Sequence, residues 1–559
     1  MNQEQIEAER GKLITRIFPE QLPTPEDIEK RYPPRNLPEG SMVTRVGPSP
    51  TGFMHIGGVY AALVSERLAH QSDGVFYLRI EDTDQERSKS ETVELITRSL
   101  QTFGIPTDEG MAVDGEEKGK YGPYTQSARA ELYKTFVKKM LEQGKAYLCF
   151  ESPEERTLRE ERQKADEARP GYYGKYATWR DAPLDKVNEK LDSGASFAVR
   201  FRSEGDFNNK IAFKDVLKGD LELSENDVDT VLYKSSTSLP TYHLAHAVDD
   251  HLMGTTHVLR GDEWLSSAPL HLQLFEALGW KPPHYGHIAP IQKMEGASKR
   301  KISKRKDPEA NAMLYTEKGY PSESVVEYLL NLANSNFEEW RKENPDKDST
   351  EFEMTLERLS NSSGPLFDFV KLNDVSSNVI ARFSEGEMFT RGFEWAKEYN
   401  PILALEMEKD QKYTTKIFGI ERTGVEQGRV RKDIVKWEDL PNEISYFYDS
   451  LFENPDTALL SGISEEDRTS AVEKFLASYD EDDDKDTWFG KVKIVAKELG
   501  FAESAKEYKK EPEKFKGHVG DIAKIFRVLL TGKTNTPDLH AIMKVMGRER
   551  VEKRLKASS

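Results

Sequence analysis

Near the start of the chain, the spacing of hydrophobic and polar positions is typical first of a strand, then of a turn, a helix and a second strand. Residues 42–46 have the pattern of a short strand, and turn-prone residues follow at 47–52. From His55 the apolar positions repeat at helical spacing, and after Gly74 an apolar run at 75–80 has the length of a buried strand. This order predicts a βαβ unit within a doubly wound nucleotide-binding sheet.

The flanking segments carry weaker patterns. Residues 1–40 are polar and end in a proline-rich stretch, which predicts a short helix and a linker before a folded core that begins at Met42. Residues 130–235 include alternating apolar positions at 197–201 and 231–233, so a mixed α/β region is expected there.

Beyond residue 375 the apolar positions have mainly helical spacing. Two stripes each fall on one helix face, and they consist of Trp488, Val492, Val495 and Leu499, and of Ile522, Ile525, Phe526 and Leu529. Gly532 is placed to end the second of these helices. A mainly helical C-terminal region is therefore predicted.

Length and composition narrow the class of protein. A single hydrophobic core rarely grows to 559 residues, so about three to five domains are expected. There is no apolar run of about 18 residues and no apolar signal core at the N-terminus, so a cytoplasmic protein without membrane partners is expected. The single cysteine, Cys149, excludes an intrachain disulfide and a cysteine zinc cluster.

The charge distribution singles out one segment. The net charge is −18, from 80 basic and 98 acidic side chains, and by itself it argues weakly against a nucleic-acid partner. Phosphate binding depends on local basic surface, however, and the densest basic run lies at 299–306. Within it Lys301 and Lys304 flank Ser303 and could grip a triphosphate from a mobile loop. A solvated basic loop is the alternative.

A second candidate segment, 48–58, joins the first predicted strand to the first predicted helix. A helix N-terminus offers N–H groups and a positive dipole end to a phosphate, and Gly57 and Gly58 let the backbone approach ATP closely. His55 could stabilise charge that develops on an α-phosphate as pyrophosphate leaves. An ordinary tight turn before a helix is the alternative.

Together the two segments are far more specific than either alone. They resemble the HIGH and KMSKS signatures of class I aminoacyl-tRNA synthetases, in the expected order. The residues around them are similar to bacterial-type glutamyl-tRNA synthetases, closely from Val43 to Lys306 and more loosely beyond. The stretches that carry this similarity are 44–52, 79–84, 124–127, 240–245, 248–254, 260–264, 530–532 and 536–539.

The resemblance implies a fold. It implies an α/β Rossmann-type class I catalytic core with an inserted α/β domain for the tRNA acceptor end, followed by an all-α anticodon-binding region. The implied boundaries are an N-terminal extension at 1–40, the catalytic domain at 41–130 and 236–306, the insertion at 131–235, a stem-contact domain at 307–375 and the anticodon-binding region at 376–559.

The resemblance also implies a site. His55, Lys301 and Lys304 would be catalytic, and with Gly57, Gly58 and Ser303 they would bind ATP. The residues matched to glutamate contacts are Arg45, Ser49, Glu81, Tyr242, His246 and Arg260. Guanidinium groups suit the two carboxylates of glutamate, and Glu81 would face its ammonium group. Arg260 matters most for substrate choice, because the related glutaminyl enzymes have an uncharged residue there.

Two positions depart from the family pattern, and the zinc ligands of some relatives are missing. His246 stands where many members have asparagine, so a packed helix histidine is the alternative to a substrate contact. Gly58 replaces the last histidine of the first signature, which the family tolerates. Some relatives hold a structural zinc near the position of Cys149, but this chain lacks the other ligands. No zinc is therefore expected. Mg²⁺ would accompany ATP, held largely by phosphates and water, and no residue of the chain is assigned as a metal ligand.

The implied reaction is that of a glutamate–tRNA ligase acting on tRNA(Glu), with charging of tRNA(Gln) left open and a monomer expected. Arg429, Arg431 and Lys432 are candidates for RNA contact, against the alternative of an exposed charged helix face.

Three other functions compete with this one. A glutamine–tRNA ligase is opposed by Arg260 and by the helical C-terminus, and a truncated enzyme that modifies a tRNA base is opposed by the long C-terminal region. A catalytically inactive tRNA-binding protein is opposed by the intact His55, Lys301 and Lys304.

Overall fold

The computed structural model of the chain describes residues 3–85, 90–359, 364–425, 429–453 and 455–557. Contacts divide the chain into two units. The first is formed by residues 1–314 and 326–368, and the second by residues 315–325 and 369–559.

The first unit is built from strands and helices in alternation. Its helices are α1 (Gln3–Ile17), α2 (Pro25–Arg31), α3 (Ile56–Gln71), α4 (Ser90–Thr102), α5 (Ala130–Glu142), α6 (Pro153–Ala165), α7 (Leu184–Asp192), α8 (Tyr242–Leu252) and α9 (Ala268–Leu278). Helices α10 (Met313–Glu317) and α11 (Ser322–Ala333) contain residues of both units, and α12 (Asn336–Glu343) belongs to the first.

The strands of the first unit form four sheets. They are β1 (Val43–Val46), β2 (Val75–Leu78), β3 (Glu109–Met111), β4 (Glu117–Lys118), β5 (Ala146–Cys149), β6 (Ala198–Phe201), β7 (Lys210–Asp215), β8 (Gly219–Ser224), β9 (Val231–Lys234), β10 (Leu239–Pro240), β11 (His257–Gly261), β12 (His284–Ile288), β13 (Gln292–Glu295) and β14 (Ser298–Lys301). The sheet orders are β1-β2-β3-β4, β10-β9-β6-β5, β11-β12-β7-β8 and β13-β14.

Two of these sheets carry the parallel pairs that position the site. Strand β1 pairs in parallel with β2, and β11 pairs in parallel with β12, which sets Arg260 beside His287. The Thr256 N–H donates to the carbonyl of Val43 (3.0 Å), so the β1 and β11 edges meet. The strands predicted at 42–46 and 75–80, and the helix predicted from His55, are confirmed as β1, β2 and α3.

Residues 130–235 contain the helices α5 to α7 and the strands β5 to β9, so the prediction of a mixed α/β region is confirmed. Three of these strands, β5, β6 and β9, join β10 in the antiparallel sheet β10-β9-β6-β5. Its strands share one hydrophobic core with α5, α8 and α9, and Phe136, Leu232 and Phe275 are among the fully buried members. This core joins the inserted segment to the second half of the parallel sheet.

The N-terminal segment differs from the prediction of one helix and a linker. It forms both α1 and α2, and Ile14, Phe18 and Ile28 are buried in the core that α5 and α8 share. The Phe18 ring packs edge-on against Tyr233 at 5.9 Å. The prediction that the folded core begins at Met42 is therefore wrong. Three widely spaced apolar side chains are too few to mark a core in the sequence, although each fills space in one.

The second unit is helical. Its helices are α13 (Phe369–Ile380), α14 (Glu385–Tyr399), α15 (Pro401–Lys409), α16 (Gln411–Gly419), α17 (Leu440–Ile444), α18 (Glu465–Ser478), α19 (Lys485–Glu498), α20 (Ala505–Lys510), α21 (Val519–Thr531), α22 (Leu539–Met546) and α23 (Arg548–Ala557). The described residues from 369 onward contain no strand. Gly532 ends α21 in the left-handed conformation (φ 70°), as predicted.

Among the described helices, none combines the length and the apolar character needed to cross a bilayer.

Candidate active site

A cavity of about 450 Å³ opens where β1 and β11 end and α3 begins. Parallel strands bring their carboxyl ends to one edge of a sheet, which is why residues so distant in sequence meet there. Eight of the twelve predicted site residues line this cavity, and they are Arg45, Ser49, His55, Gly57, Gly58, Arg260, Lys301 and Lys304.

His55 caps the N-terminus of α3. Its Nδ1 accepts a hydrogen bond from the Gly57 N–H (2.9 Å), so Nε2 carries the proton of the neutral ring. Burial lowers the pKa of His55, and the positive charge of Lys304 lowers it further. A hydrogen bond between the ring and the Ile302 backbone raises the pKa, against these two effects. The neutral ring carries its N–H beside the positive end of a helix dipole, and such a donor suits a phosphoryl oxygen once ATP replaces that backbone contact.

Lys301 and Lys304 come from β14 and the loop that follows it. The Lys304 ammonium donates to the carbonyl of Phe53 (2.8 Å) and lies 5.0 Å from the centre of the Phe53 ring. The Lys301 ammonium pairs with Glu263 at 3.0 Å. Burial lowers the pKa of Lys304. Both cations therefore line the same cavity as His55, although their segments lie far apart in the chain.

Asp307, which the sequence pattern did not single out, anchors this loop. Its buried carboxylate accepts hydrogen bonds from both terminal nitrogens of Arg300 (2.6 and 2.7 Å) and from the Ser303 N–H (2.8 Å). Lys293 pairs with it at 3.2 Å. The hydrogen bonds from Arg300 hold the pKa of Asp307 well below its usual value. Ser303 lies outside the cavity lining, so its role in ATP binding stays a prediction.

A buried cluster of charges lies behind one side of the cavity. Arg79 is completely buried and bridges Glu81 (2.8 Å) and Asp250 (2.6 Å), while the Nε of Arg45 lies 3.6 Å from Asp250. Burial raises the pKa of Asp250, but Arg79 and Arg45 outweigh burial and hold it well below its usual value. Burial also raises the pKa of Glu81, against the two arginines, and there burial prevails.

Gly47 makes room for this cluster. A Cβ at position 47 would lie too close to the Glu81 carboxylate, so a larger residue there would push Glu81 away from its pair with Arg79. Glu81 itself is not part of the cavity lining, and its contact with a substrate ammonium group stays a prediction.

Arg260 also lines the cavity and is 5% exposed. Its Nε–H donates to Nε2 of His287 (3.0 Å), and its terminal nitrogens contact Nδ1 of His271 (3.0 Å) and the carbonyl of Trp264 (3.2 Å). Its guanidinium carbon lies 4.7 Å from the centre of the Tyr285 ring. The sequence pattern indicated neither histidine, because a lone histidine has no periodicity that would mark it as a partner of Arg260.

Tyr242 and His246 lie one layer behind the cavity. The Tyr242 hydroxyl is 3.5 Å from Arg260, and the rings of Tyr242 and His246 stack at 5.6 Å. His246 is completely buried, with Nδ1 2.6 Å from Asp250 and Nε2 2.9 Å from the Tyr285 hydroxyl. Burial lowers the pKa of His246 to about 3. These contacts are those of a packed helix histidine, which was the alternative to a substrate contact.

The candidate RNA-binding residues of the second unit do not form a helix face. Residues 431–435 have no regular secondary structure. Arg431 is 5% exposed at its side chain and pairs with Asp433, while Lys432 donates to Asn378 (2.6 Å) and Arg429 is exposed. The interpretation as an exposed charged helix face is therefore wrong. Contact of these residues with RNA stays a prediction.

The side chain of Cys149 lies among polar side chains. The Cys149 sulfur lies 3.3 Å from the Nε of Arg200 and 3.6 Å from the Tyr172 hydroxyl. In the part of the chain that the structure describes, no group of three or more histidine, cysteine, aspartate or glutamate side chains is arranged to hold a metal ion.

Comparison with protein families gives two matches. Residues 41–374 match the catalytic domain of class I tRNA synthetases (E and Q), and residues 396–558 match an anticodon binding domain.

Curated relatives and solved structures agree with these matches. The chain is 46% identical to a glutamate–tRNA ligase of Clostridium perfringens (strain 13 / Type A), over 97% of this chain and 99% of that relative. It is 44% identical to a glutamate–tRNA ligase of Sorangium cellulosum, over 95% and 97%. The crystal structure of a glutamate tRNA ligase from Elizabethkingia meningosepticum in complex with its amino acid is similar at a TM-score of 0.75 and 25% identity, over 93% and 99%. The resemblance predicted from the sequence is thereby confirmed.

Proposed function

The chain belongs to the class I tRNA synthetases of the glutamate and glutamine type, and from this membership we propose that it is a glutamate–tRNA ligase. It activates L-glutamate with ATP and transfers it to the 3′ end of tRNA(Glu). The observation that carries the proposal is the single cavity in which His55, Lys301 and Lys304 meet Arg260. It combines groups for a triphosphate with a buried cation for an acidic side chain.

The first step forms an anhydride. An oxygen of the glutamate α-carboxylate attacks the α-phosphorus of ATP, the bond to the bridging oxygen breaks, and pyrophosphate leaves with that electron pair. The Nε2–H of His55 donates to an α-phosphate oxygen, where negative charge grows in the transition state. Lys301 and Lys304 neutralise the departing pyrophosphate. Mg²⁺ enters as part of the ATP substrate, held by phosphate oxygens and water.

Glutamate is oriented by charge. Arg260 receives the side-chain carboxylate and Arg45 the α-carboxylate, while Glu81, with Ser49 nearby, balances the ammonium group. Glutamine has an amide in place of the side-chain carboxylate and would leave the charge of Arg260 buried and unpaired. Breaking a buried pair in this way costs ~3–5 kcal/mol, enough to reject the amide without editing.

The second step transfers the amino acid. The 2′-hydroxyl of the terminal adenosine attacks the carbonyl carbon of glutamyl-adenylate, and the bond from that carbon to the phosphate oxygen breaks. AMP leaves with the electron pair, and the hydroxyl proton passes to its phosphate group or to water. We assign the acceptor end to residues 131–235, the tRNA stem to 307–375 and the anticodon to 376–559. Positioning of the two reactants supplies most of the catalysis here.

The test is pyrophosphate exchange into ATP, measured with glutamate or glutamine and with or without tRNA(Glu). We expect a kcat/KM for exchange that is far higher with glutamate than with glutamine. A kcat/KM for glutamine that equals or exceeds the value for glutamate, or exchange that needs neither amino acid, would refute the proposal.

A pair of lysine variants tests the role of the loop. Lys304→Ala should lower kcat for exchange by about 10²-fold, because the transition state loses a cation at the triphosphate. Lys299→Ala is the matched control, since Lys299 lies in the same basic run on β14 but outside the cavity lining. Equal activity of the two variants would exclude the assigned role of Lys304.

Three narrower properties belong to the same proposal. The chain acts in the cytoplasm and as a monomer. It charges tRNA(Glu), and the alternative is that it charges tRNA(Gln) as well. Charging assays with both purified tRNAs distinguish the two. Sedimentation of the free and tRNA-bound protein tests the monomer.

A further inference from the structure

Arg260 is a buried cation whose direct protein partners are uncharged. Its nitrogens contact two imidazole rings, of His287 and His271, and the carbonyl of Trp264. In the described part of the chain, no carboxylate forms an ion pair with it. A buried arginine is usually matched by an acidic side chain, since an unpaired buried charge is strongly unfavourable. The arrangement therefore needs an explanation.

The first imidazole is fixed as a neutral acceptor. The Nε–H of Arg260 is always a donor, so Nε2 of His287 must present its lone pair and Nδ1 must carry the proton. That Nδ1–H donates to Oδ2 of Asp215 at 2.6 Å. The other oxygen of Asp215 accepts from the N–H groups of Leu217 (2.9 Å) and Lys218 (3.0 Å), which holds the carboxylate in this orientation.

The second imidazole, that of His271, is also held as a neutral acceptor for Arg260. Nδ1 of His271 faces Arg260, and Nε2 of His271 lies 3.0 Å from Nδ1 of His243 on α8. Burial lowers the pKa of His271 well below its usual value, and the neighbouring His246 and Arg260 lower it further. Burial and Arg260 also lower the pKa of His243, to about 4. Both rings are therefore neutral at physiological pH.

We propose that His271 and His287 are positioning residues that determine the preference for glutamate over glutamine, by holding Arg260 in place without cancelling its charge. This inference rests on the proposed function and adds the way in which the cavity selects an acid over its amide. The imidazole lone pairs satisfy the N–H groups of the arginine, and the full positive charge is left for the side-chain carboxylate of the substrate.

Asp215 acts on Arg260 only through His287. It sets the tautomer of His287 and lies one imidazole ring away from the guanidinium, too far to form an ion pair with it. A carboxylate in direct contact with Arg260 would instead neutralise the guanidinium charge before any substrate bound. Glutamate would then compete with an internal anion, whereas glutamine would not be penalised.

A matched pair at position 271 separates charge from packing. In His271→Asn the amide oxygen replaces Nδ1 as a neutral acceptor, and in His271→Asp an oxygen of nearly the same position carries negative charge. The KM values for glutamate, glutamine and ATP are measured by pyrophosphate exchange in the presence of tRNA(Glu). We expect His271→Asn to raise the glutamate KM by about threefold and His271→Asp by about 10²-fold. The KM for ATP should stay the same in both.

The ratio of the glutamate KM to the glutamine KM shows whether the charge at position 271 changes amino-acid selection. A rise of the glutamate KM in His271→Asp, with the glutamine KM unchanged or lower, supports the inference. Equal glutamate KM values in the two variants, or glutamate and glutamine KM values that rise together, would overturn it. A wild-type protein without glutamate-dependent exchange would refute the proposed function instead, before this comparison is reached.

A second variant tests the tautomer and does not depend on the folding of His271→Asp. In Asp215→Asn the amide oxygen keeps the contacts with Leu217 and Lys218, so the NH₂ group faces His287. His287 must then accept at Nδ1 and carry its proton at Nε2, where it meets the Nε–H of Arg260. We expect the glutamate KM to rise by about tenfold, with little change in the KM for ATP. An unchanged glutamate KM would show that the tautomer does not matter.

Discussion

The two arginines that line the cavity, Arg45 and Arg260, have different kinds of partner. Arg45 lies beside a carboxylate, since Asp250 is 3.6 Å away and is shared with Arg79. Arg260 contacts two neutral histidines and a carbonyl. Both arginines are 5% exposed, so burial alone does not distinguish them. The difference lies in whether the protein itself supplies the negative charge.

This difference separates stability from recognition. A cation paired with its own carboxylate makes the folded state depend on that carboxylate, and it has less charge to offer a ligand. A cation satisfied by neutral acceptors keeps its charge and gains its ionic partner only when an anion binds. We therefore expect substitutions around Asp250 to affect mainly unfolding, and substitutions around Arg260 to affect mainly the binding of glutamate.

The largest effect is expected for Asp250→Asn. The change leaves two buried arginines without their shared counter-ion, which should lower the free energy of unfolding by about 3–5 kcal/mol. Urea denaturation measures this loss. Asp220→Asn on β8 is the control, because Asp220 is exposed and its substitution should change the free energy by less than about 0.5 kcal/mol. Similar losses in the two variants would contradict the assigned role of the buried cluster.

The next effect is expected for Arg260→Gln. The glutamate KM should rise by about 10²-fold, equivalent to about 2.7 kcal/mol, because the side-chain carboxylate loses its cation. The free energy of unfolding should fall by only about 1–2 kcal/mol, since the histidines lose hydrogen bonds but no charge is left unpaired. Exchange kinetics and urea denaturation of one preparation give both numbers. A loss of stability as large as that of Asp250→Asn would remove the contrast between the two arginines.

A smaller effect is expected in the lysine loop, where Asp307 pairs with Arg300 and Lys293. Asp307→Asn should lower kcat for exchange by about tenfold, because the loop that carries Lys304 loses its anchor, while the glutamate KM stays constant. Glu295→Gln is the control, since Glu295 pairs with the same Arg300 (2.9 Å) but is exposed. Equal kcat values in the two variants would show that Asp307 does not position the loop.

The effect that is smallest at neutral pH concerns the histidines behind Arg260, because it grows only as the pH falls. Burial lowers the pKa of His243 from 6.5 to about 4 in the folded protein. Between these values the unfolded chain binds a proton that the folded chain does not. The free energy of unfolding therefore decreases as the pH falls from about 6.5 to about 4, by at most about 1.4 kcal/mol per unit for this residue.

Urea denaturation at several pH values in this window checks the effect. His243→Asn should have a shallower decrease than the wild-type protein, because it removes one group that must lose its proton on folding. Parallel curves for the two proteins would show that His243 does not contribute to the pH dependence.

The sequence by itself determined the parts of the fold that have a strong local pattern. Periodicity and glycine placement predict the strands β1 and β2, the helix α3 and the helical C-terminal region. These signals are local, because each one lies within a short stretch of sequence. The two signature segments predicted that His55, Lys301 and Lys304 act together. That inference came from a family resemblance, since nothing local states that they share a cavity.

Only the tertiary structure decided what each charged side chain pairs with. The parallel register of β11 and β12 sets His287 beside Arg260, and the packing of α9 brings in His271, which no local pattern indicates. The same reason explains why α1 and α2 were missed as parts of a core, and why Asp307 was not seen as an anchor. Contacts between distant segments depend on how elements pack, and a single sequence specifies that packing only through the whole fold.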